Sequence, residues 1–151
     1  MDLITDKFTV GVFQDVPSAE KGIDALGRHH FTPDLLSIIA KHTPDVEAFV
    51  RSVFGAAPAP VEVRNVGPVV MFGPLVAVLD GDRHEVAALG IAATAGRAGF
   101  QAHDGVIFER LVGRGGVLVG VSSEGRASEA LSTLHAYGGG NAAIGAWAGR
   151  V

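Results

Sequence analysis

Six histidines are the first residues of this chain that could do chemistry, since imidazole is the commonest metal ligand and titrates nearest neutral pH. His29 and His30 are the only adjacent pair. Neighbours diverge by about 100° on a helix and about 180° on a strand, so these two read as solvated corner residues rather than joint ligands of one ion. His42, His84, His103 and His135 stand singly, without H-E-x-x-H or H-x₃₋₅-H spacing. The chain has no cysteine, which excludes thiolate catalysis, disulfides and cysteine zinc sites together. The expectation is a protein with no metal and no cofactor.

Ser128, Ser132 and His135 share one helical face at spacings of four and three, but no G-x-S-x-G elbow presents a serine as a nucleophile. The polar outer face of a helix accounts for them. Ser122 and Ser123 before Glu124 read as helix caps, with a weaker alternative as an anion site that Glu124 opposes. Gly113-Arg-Gly-Gly116 and Gly138-Gly-Gly-Asn141 lead from helix to strand, the reverse of a phosphate cradle, and read as helix-ending turns. Asp104 and Glu109 are types suited to acid and base, yet nothing in their local context raises a carboxyl pKa. No catalytic residue is assigned.

The elements that would position these residues show an internal pattern. Residues 10–40 align with 118–148 at a constant offset: Val10, Val12 and Phe13 face Leu118, Gly120 and Val121, and Ala19, Ile23 and Leu26 face Ala127, Leu131 and Leu134. Each copy reads as strand, amphipathic helix, strand. Asp15 with Pro17 starts the first helix, whose inward stripe is Ala19, Ile23 and Leu26, with Glu20, Lys21 and Asp24 outside. Thr43 and Pro44 start another helix through Phe54. Residues 61–64 alternate as a strand, and the pairs Gly67-Pro68 and Gly73-Pro74 bracket two short extended pieces, 69–72 and 75–79. Asp82 and Glu85 open a small-residue helix over 86–99, and a further helix covers 103–112. The second copy then supplies a strand at 117–121, a helix at 124–137 and a last strand at 142–147.

The fold class is therefore α+β: a ferredoxin-like pair of β-α-β units (residues 8–40 and 116–148) forming an antiparallel sheet, with a Gly/Ala/Pro-rich insert at 41–115, all within one domain of 151 residues. A net charge of -4 with scattered arginines argues against nucleic acid as a partner. The longest apolar run, residues 66–79, is 14 residues with two Gly-Pro pairs, short of the roughly 18 to 20 that a membrane span needs. No targeting segment opens the chain, so the expected compartment is the cytoplasm.

Several stretches resemble a known group. The start Val10-Gly-Val-Phe-Gln-Asp15, followed by Ala19-Glu-Lys, Ile23-Asp-Ala-Leu26 and Leu36-Ser-Ile-Ile39, resembles the bacterial general stress protein family. Gly67-Pro68 with Gly73-Pro74-Leu75, and Val112-Gly-Arg-Gly-Gly-Val-Leu-Val119, are similar to that family's "GP … GPL" segment and "RRGGVLV" motif. The charged stretch from Asp80 to Glu85 departs from the family's glycine-alanine zipper and speaks against membrane insertion. The resemblance implies a small cytoplasmic stress-associated protein and transfers no catalytic residue.

A four-stranded sheet with helices on one face leaves the other face open, and the chain is 48% hydrophobic. One expectation follows: a non-enzymatic protein that works through self-association, as a homodimer, or through a protein partner. Candidate interface residues are Val69, Phe72, Leu75 and Trp147. The alternative is a small-molecule-binding protein or enzyme of the dimeric α/β-barrel type, with an apolar pocket on the open sheet face. The repeat also makes Ile23 and Leu131 equivalent core positions.

Overall fold

The strand that opens the sheet, β1 (Phe8–Phe13), is apolar except for Thr9 and buried throughout. In the computed structural model, which describes residues 8–139, Asp15 caps the following helix α1 (Val16–Arg28) by accepting a hydrogen bond from the Ser18 N–H at 2.9 Å, and Pro17 sits in its first turn. A single 3₁₀ turn leads into β2 (Leu36–Lys41). Helix α2 (Pro44–Phe54) is capped by the Thr43 hydroxyl, which accepts from the Val46 N–H at 3.0 Å, and ends on Gly55 in the left-handed region. Both helix starts legible in the sequence are present.

A hairpin follows, though not between the extended pieces 69–72 and 75–79 expected from the Gly-Pro pairs. It joins β3 (Val61–Val63) to β4 (Gly67–Phe72), with Asn65 at positive φ in the turn. Residues 75–79, read as extended, form helix α3 (Pro74–Asp80). The reason is local and tertiary together: Pro74 occupies the first helical position, and the buried Ser37 hydroxyl of β2 accepts from the Leu75 N–H at 2.9 Å. Short apolar runs do not by themselves distinguish strand from helix.

The expected helix over 86–99 is broken into α4 (Val86–Leu89), α5 (Ile91–Thr94) and a 3₁₀ segment. Gly90 adopts φ +95 at the break, and the Glu109 carboxylate accepts from the Ala92 N–H at 3.0 Å, capping α5 from a distant helix. That helix is α6 (Ala102–Gly113), which leads through Gly115, at φ +99, into β5 (Val117–Ser122). The last described helix, α7 (Ala127–Ala136), begins three residues later than the sequence suggests, because residues 123–126 form a turn in which Arg126 N–H donates to the Ser123 carbonyl.

The five strands make one antiparallel sheet in the order β1-β5-β2-β4-β3. Strand β5 pairs on one side with β1, Val12 opposite Leu118, and on the other with β2, Ile38 opposite Val119. Alternation along the strands sends Val119, Ile38 and Val70 to one face, where they pack with Leu26, Phe49 and Leu134 of α1, α2 and α7. The opposite residues, Val10, Leu118, Ile39 and Val69, pack on Leu75, Ile91 and Phe108 of α3, α5 and α6. The chain is α+β with helices on both sheet faces.

This corrects the expectation of an open face. The insert folds back and covers the sheet within the chain, so Val69 and Leu75, put forward as interface residues, are core at 0% and 2% exposure. Phe72 does reach the surface, packed at a tilt of 48° against Phe54 with ring centroids 4.5 Å apart. Trp147 and the expected last strand at 142–147 lie outside the described residues. Ile23 and Leu131 are only partly buried; the fully inward positions lie beside them, Gly22, Ala25 and Leu26 on α1 and Ala130, Thr133 and Leu134 on α7. The reason is the close approach at Gly22, where a Cβ would stand 2.4 Å from the Phe13 ring and so turns that side of α1, rather than the Ile23 side, onto the sheet.

Candidate functional site: the groove between α1 and α2

Most side chains with chemical potential are used to hold elements together. Asp80 accepts from the Val86 N–H at 3.0 Å, while Arg97 donates to the carbonyls of Leu79 and Asp80 and pairs with Glu85, closing the end of α3. Glu109, besides capping α5, accepts from Asn65 Nδ2 at 3.3 Å and so ties α6 to the hairpin turn. Asp104 Oδ1 lies 3.2 Å from His103 Nε2 in a geometry that makes no hydrogen bond. No acid and base pair is assembled from Asp104 and Glu109.

The serines divide likewise. The Ser123 hydroxyl is buried against that of Thr9 at 2.7 Å, joining the end of β5 to β1, and caps no helix. Ser128, Ser132 and His135 are all exposed on α7. Four histidines sit beside carboxylates at the surface: His29 by Glu129, His42 by Glu47, His84 by Asp80 and His103 by Asp104. Among the described residues, no three metal-ligating side chains converge. Gly113 and Gly115 lead from α6 toward β5 as a turn, and Gly138 follows α7, while Asn141 lies outside the described residues.

One corner is more densely tied than any single motif suggested. The Arg126 guanidinium lies over the Phe31 ring, 3.9 Å from its centroid, donates to the His29 carbonyl, and bonds Glu129 through Nε at 3.1 Å. Glu129 in turn bonds His29 Nδ1 at 3.1 Å. The hydrogen bond from Arg126 holds the Glu129 carboxyl below its ordinary range, with His29 adding to the effect and partial desolvation opposing it. Arg28 reaches the Tyr137 hydroxyl at 3.1 Å. The end of α1 and the start of α7 are thereby locked, and Phe31 is held at 1% exposure.

Phe31 is also part of the floor of an open groove of about 430 Å³ between α1 and α2. Helix α1 lines it with Glu20, Ile23, Asp24 and Gly27, a stripe at i, i+3, i+4 and i+7. Phe49, Ser52 and Val53 of α2 form the opposite wall, and Leu36 completes the floor. Glu20 and Asp24 are exposed on the rim and have no hydrogen bond or ion pair among the described residues. Ser52 donates its hydroxyl proton to the Phe49 carbonyl at 2.9 Å, which leaves its oxygen on the α2 wall as an acceptor. Gly27 leaves the far end of the groove clear, with nothing within 4 Å of a Cβ built there.

The sequence placed Ile23 in the core and Glu20 and Asp24 in solvent; it did not reveal that the three border one depression. The signal was present in the Glu20, Ile23, Asp24, Gly27 spacing, but only the packing of α2 beside α1 gives the stripe a second wall. On the other side of the sheet a space of about 10 Å³ lies among Val10, Leu79, Ile91 and Phe108, at the lower limit for one water molecule. Helices α3, α5 and α6 of the insert pack on this face, where the α/β-barrel reading placed an apolar pocket. Among known proteins, the chain matches no family model, no curated protein and no solved structure.

Proposed function

We propose that this chain is a non-enzymatic, stress-associated cytoplasmic protein that acts by binding a protein partner. The observation that carries the reading is the contrast between its polar groups and its surface. Asp80, Arg97, Glu109, Ser37 and Ser123 are committed to caps and ties within the fold, whereas the α1 and α2 groove offers apolar floor and unpaired rim charge to something outside it. Small-molecule sites enclose most of their ligand around a few convergent polar groups, whereas this groove is open and its carboxylates, Glu20 and Asp24, stand exposed on the rim. Association with stress and the cytoplasm rests on the resemblance of the β1, β2 and Gly-Pro segments to general stress proteins.

The same reading takes the core of the fold as ferredoxin-like. Strands β1 and β2 both run antiparallel to β5 between them, so they are parallel to each other and joined by α1, the split β-α-β arrangement. The hairpin β3-β4 extends the sheet beyond β2. Homodimer formation loses the physical basis it had in the sequence, an uncovered sheet face, and Phe72 is the described candidate residue left at the surface to support it.

Native mass spectrometry of freshly purified protein tests the proposal. The expected species are the chain of 15.5 kDa and its protein complexes, with no small molecule retained. A stoichiometric small molecule carried through purification overturns it in favour of a ligand-binding protein.

A further inference from the structure

We infer that the groove between α1 and α2 receives a short amphipathic helix of the partner, with large apolar side chains flanked by lysine or arginine. This rests on the partner-binding reading and gives it a surface and a chemistry.

Three properties of the groove select that occupant. The α1 stripe runs from Glu20 to Gly27, which at the helical rise spans about 10 Å, the length of roughly two turns of a docked helix. The floor of Ile23, Phe31, Leu36, Phe49 and Val53 is apolar and suits the i and i+3 or i+4 anchors of such a helix. Finally, the rim is acidic and unpaired. Glu47 on α2 is taken by His42 and Arg51, and Glu129 by His29 and Arg126, while Glu20 and Asp24 have no cation among the described residues. Two carboxylates one turn apart on an exposed rim, on a chain of net charge -4, favour a basic rather than an acidic approach. The floor is also held in place, because Arg126 stacks on the outer side of Phe31 and pins the corner that carries it. A partly preformed groove loses less on binding than one that must first be ordered.

The test uses the full chain and a panel of fluorescently labelled helical peptides about three turns long, each with a leucine, phenylalanine or methionine stripe flanked by lysines. Anisotropy titrations should show saturable binding by at least one stripe, weakened roughly tenfold between low and high salt, and no comparable binding when the lysines are exchanged for glutamates. The double variant Glu20→Lys with Asp24→Lys, both exposed, should weaken binding by about tenfold or more with its thermal unfolding unchanged. Ser52→Trp, at an exposed wall position, should abolish binding by filling the groove. Equal binding of acidic and basic peptides, indifference to both variants, or no saturable binding by any of the panel overturns the inference. A concentration-dependent dimer abolished by Ser52→Trp would assign the groove to a second copy and likewise overturn it. Cross-linking in cells keeps the two proposals apart: a protein contact mapped to α4 or α6 would leave the partner-binding reading standing while removing the groove from it.

Discussion

Ser37 shows how one hydroxyl decides an element. It interrupts the apolar run Leu36–Ala40, and its buried oxygen accepts the Leu75 N–H that opens α3. Ser37→Ala should cost about 1 to 3 kcal/mol, since a buried N–H is left without a partner; urea denaturation measures it. Gly73 stands beside it at φ +116, where a Cβ would lie 2.4 Å from the Leu36 carbonyl oxygen. Gly73→Ala combines a strained backbone with a clash against backbone, and should destabilise by roughly 2 kcal/mol or more in the same assay. A midpoint equal to that of the unchanged protein would mean that β4 does not turn into α3 over β2 in this way.

At the scale of elements, the two flanking helices bury part of the stripe that their periodicity singles out, Ala19, Leu26 and Leu134, but not Ile23 or Leu131. Leu26 and Leu134 are 0% exposed, while Ile23 stands at the edge of the groove. Leu26→Ala and Leu134→Ala should each cost about 2 to 5 kcal/mol, and Ile23→Ala clearly less, because its side chain is only partly removed from water. Chemical denaturation of the three variants side by side decides the order. The break between α4 and α5 belongs to this scale too: Glu109 holds it from α6, so Glu109→Ala should expose amide hydrogens of residues 91–94 to faster exchange before the rest of the helical layer.

For the whole molecule, surface carboxylates set the behaviour in acid. Hydrogen bonds hold Asp15, Glu47 and Glu129 below their ordinary pKa values, from Ser18, His42 and Arg126 respectively as the largest causes. A depressed folded pKa means that the folded chain binds these protons less readily than the unfolded one, so the stabilisation is present above the ordinary carboxylate range of about 4 and is lost as pH falls through the lower folded values. The urea midpoint should therefore be level down to about pH 5 and fall below it. Replacing Glu129 by Gln should flatten part of that fall. Because helices cover both sheet faces within one chain, the denaturation midpoint should also be independent of protein concentration over a tenfold dilution; a shift would show that folding requires a second copy.

The sequence alone determined what local chemistry governs. Asp15 and Thr43 announce their helices because a short acceptor before a proline satisfies free N–H groups wherever the rest of the chain goes. The strands β1, β2 and β5 were legible as short apolar runs of β-branched residues, and α6 as an amphipathic stretch. What depended on distant partners was not legible. The helix at 74–80 needs Ser37, the break at Gly90 needs Glu109, and the late start of α7 follows a turn beside the buried pair of Thr9 and Ser123. The proposed binding surface is of the same kind: Glu20, Ile23 and Asp24 are an ordinary helical stripe until α2 packs beside them. The covering of the second sheet face was equally undecided, because apolar insert residues can bury themselves against their own sheet or against another molecule at similar gain in removed surface, and only the tertiary structure shows that Leu75, Ile91 and Phe108 meet Val10, Ile39 and Leu118 of the same chain.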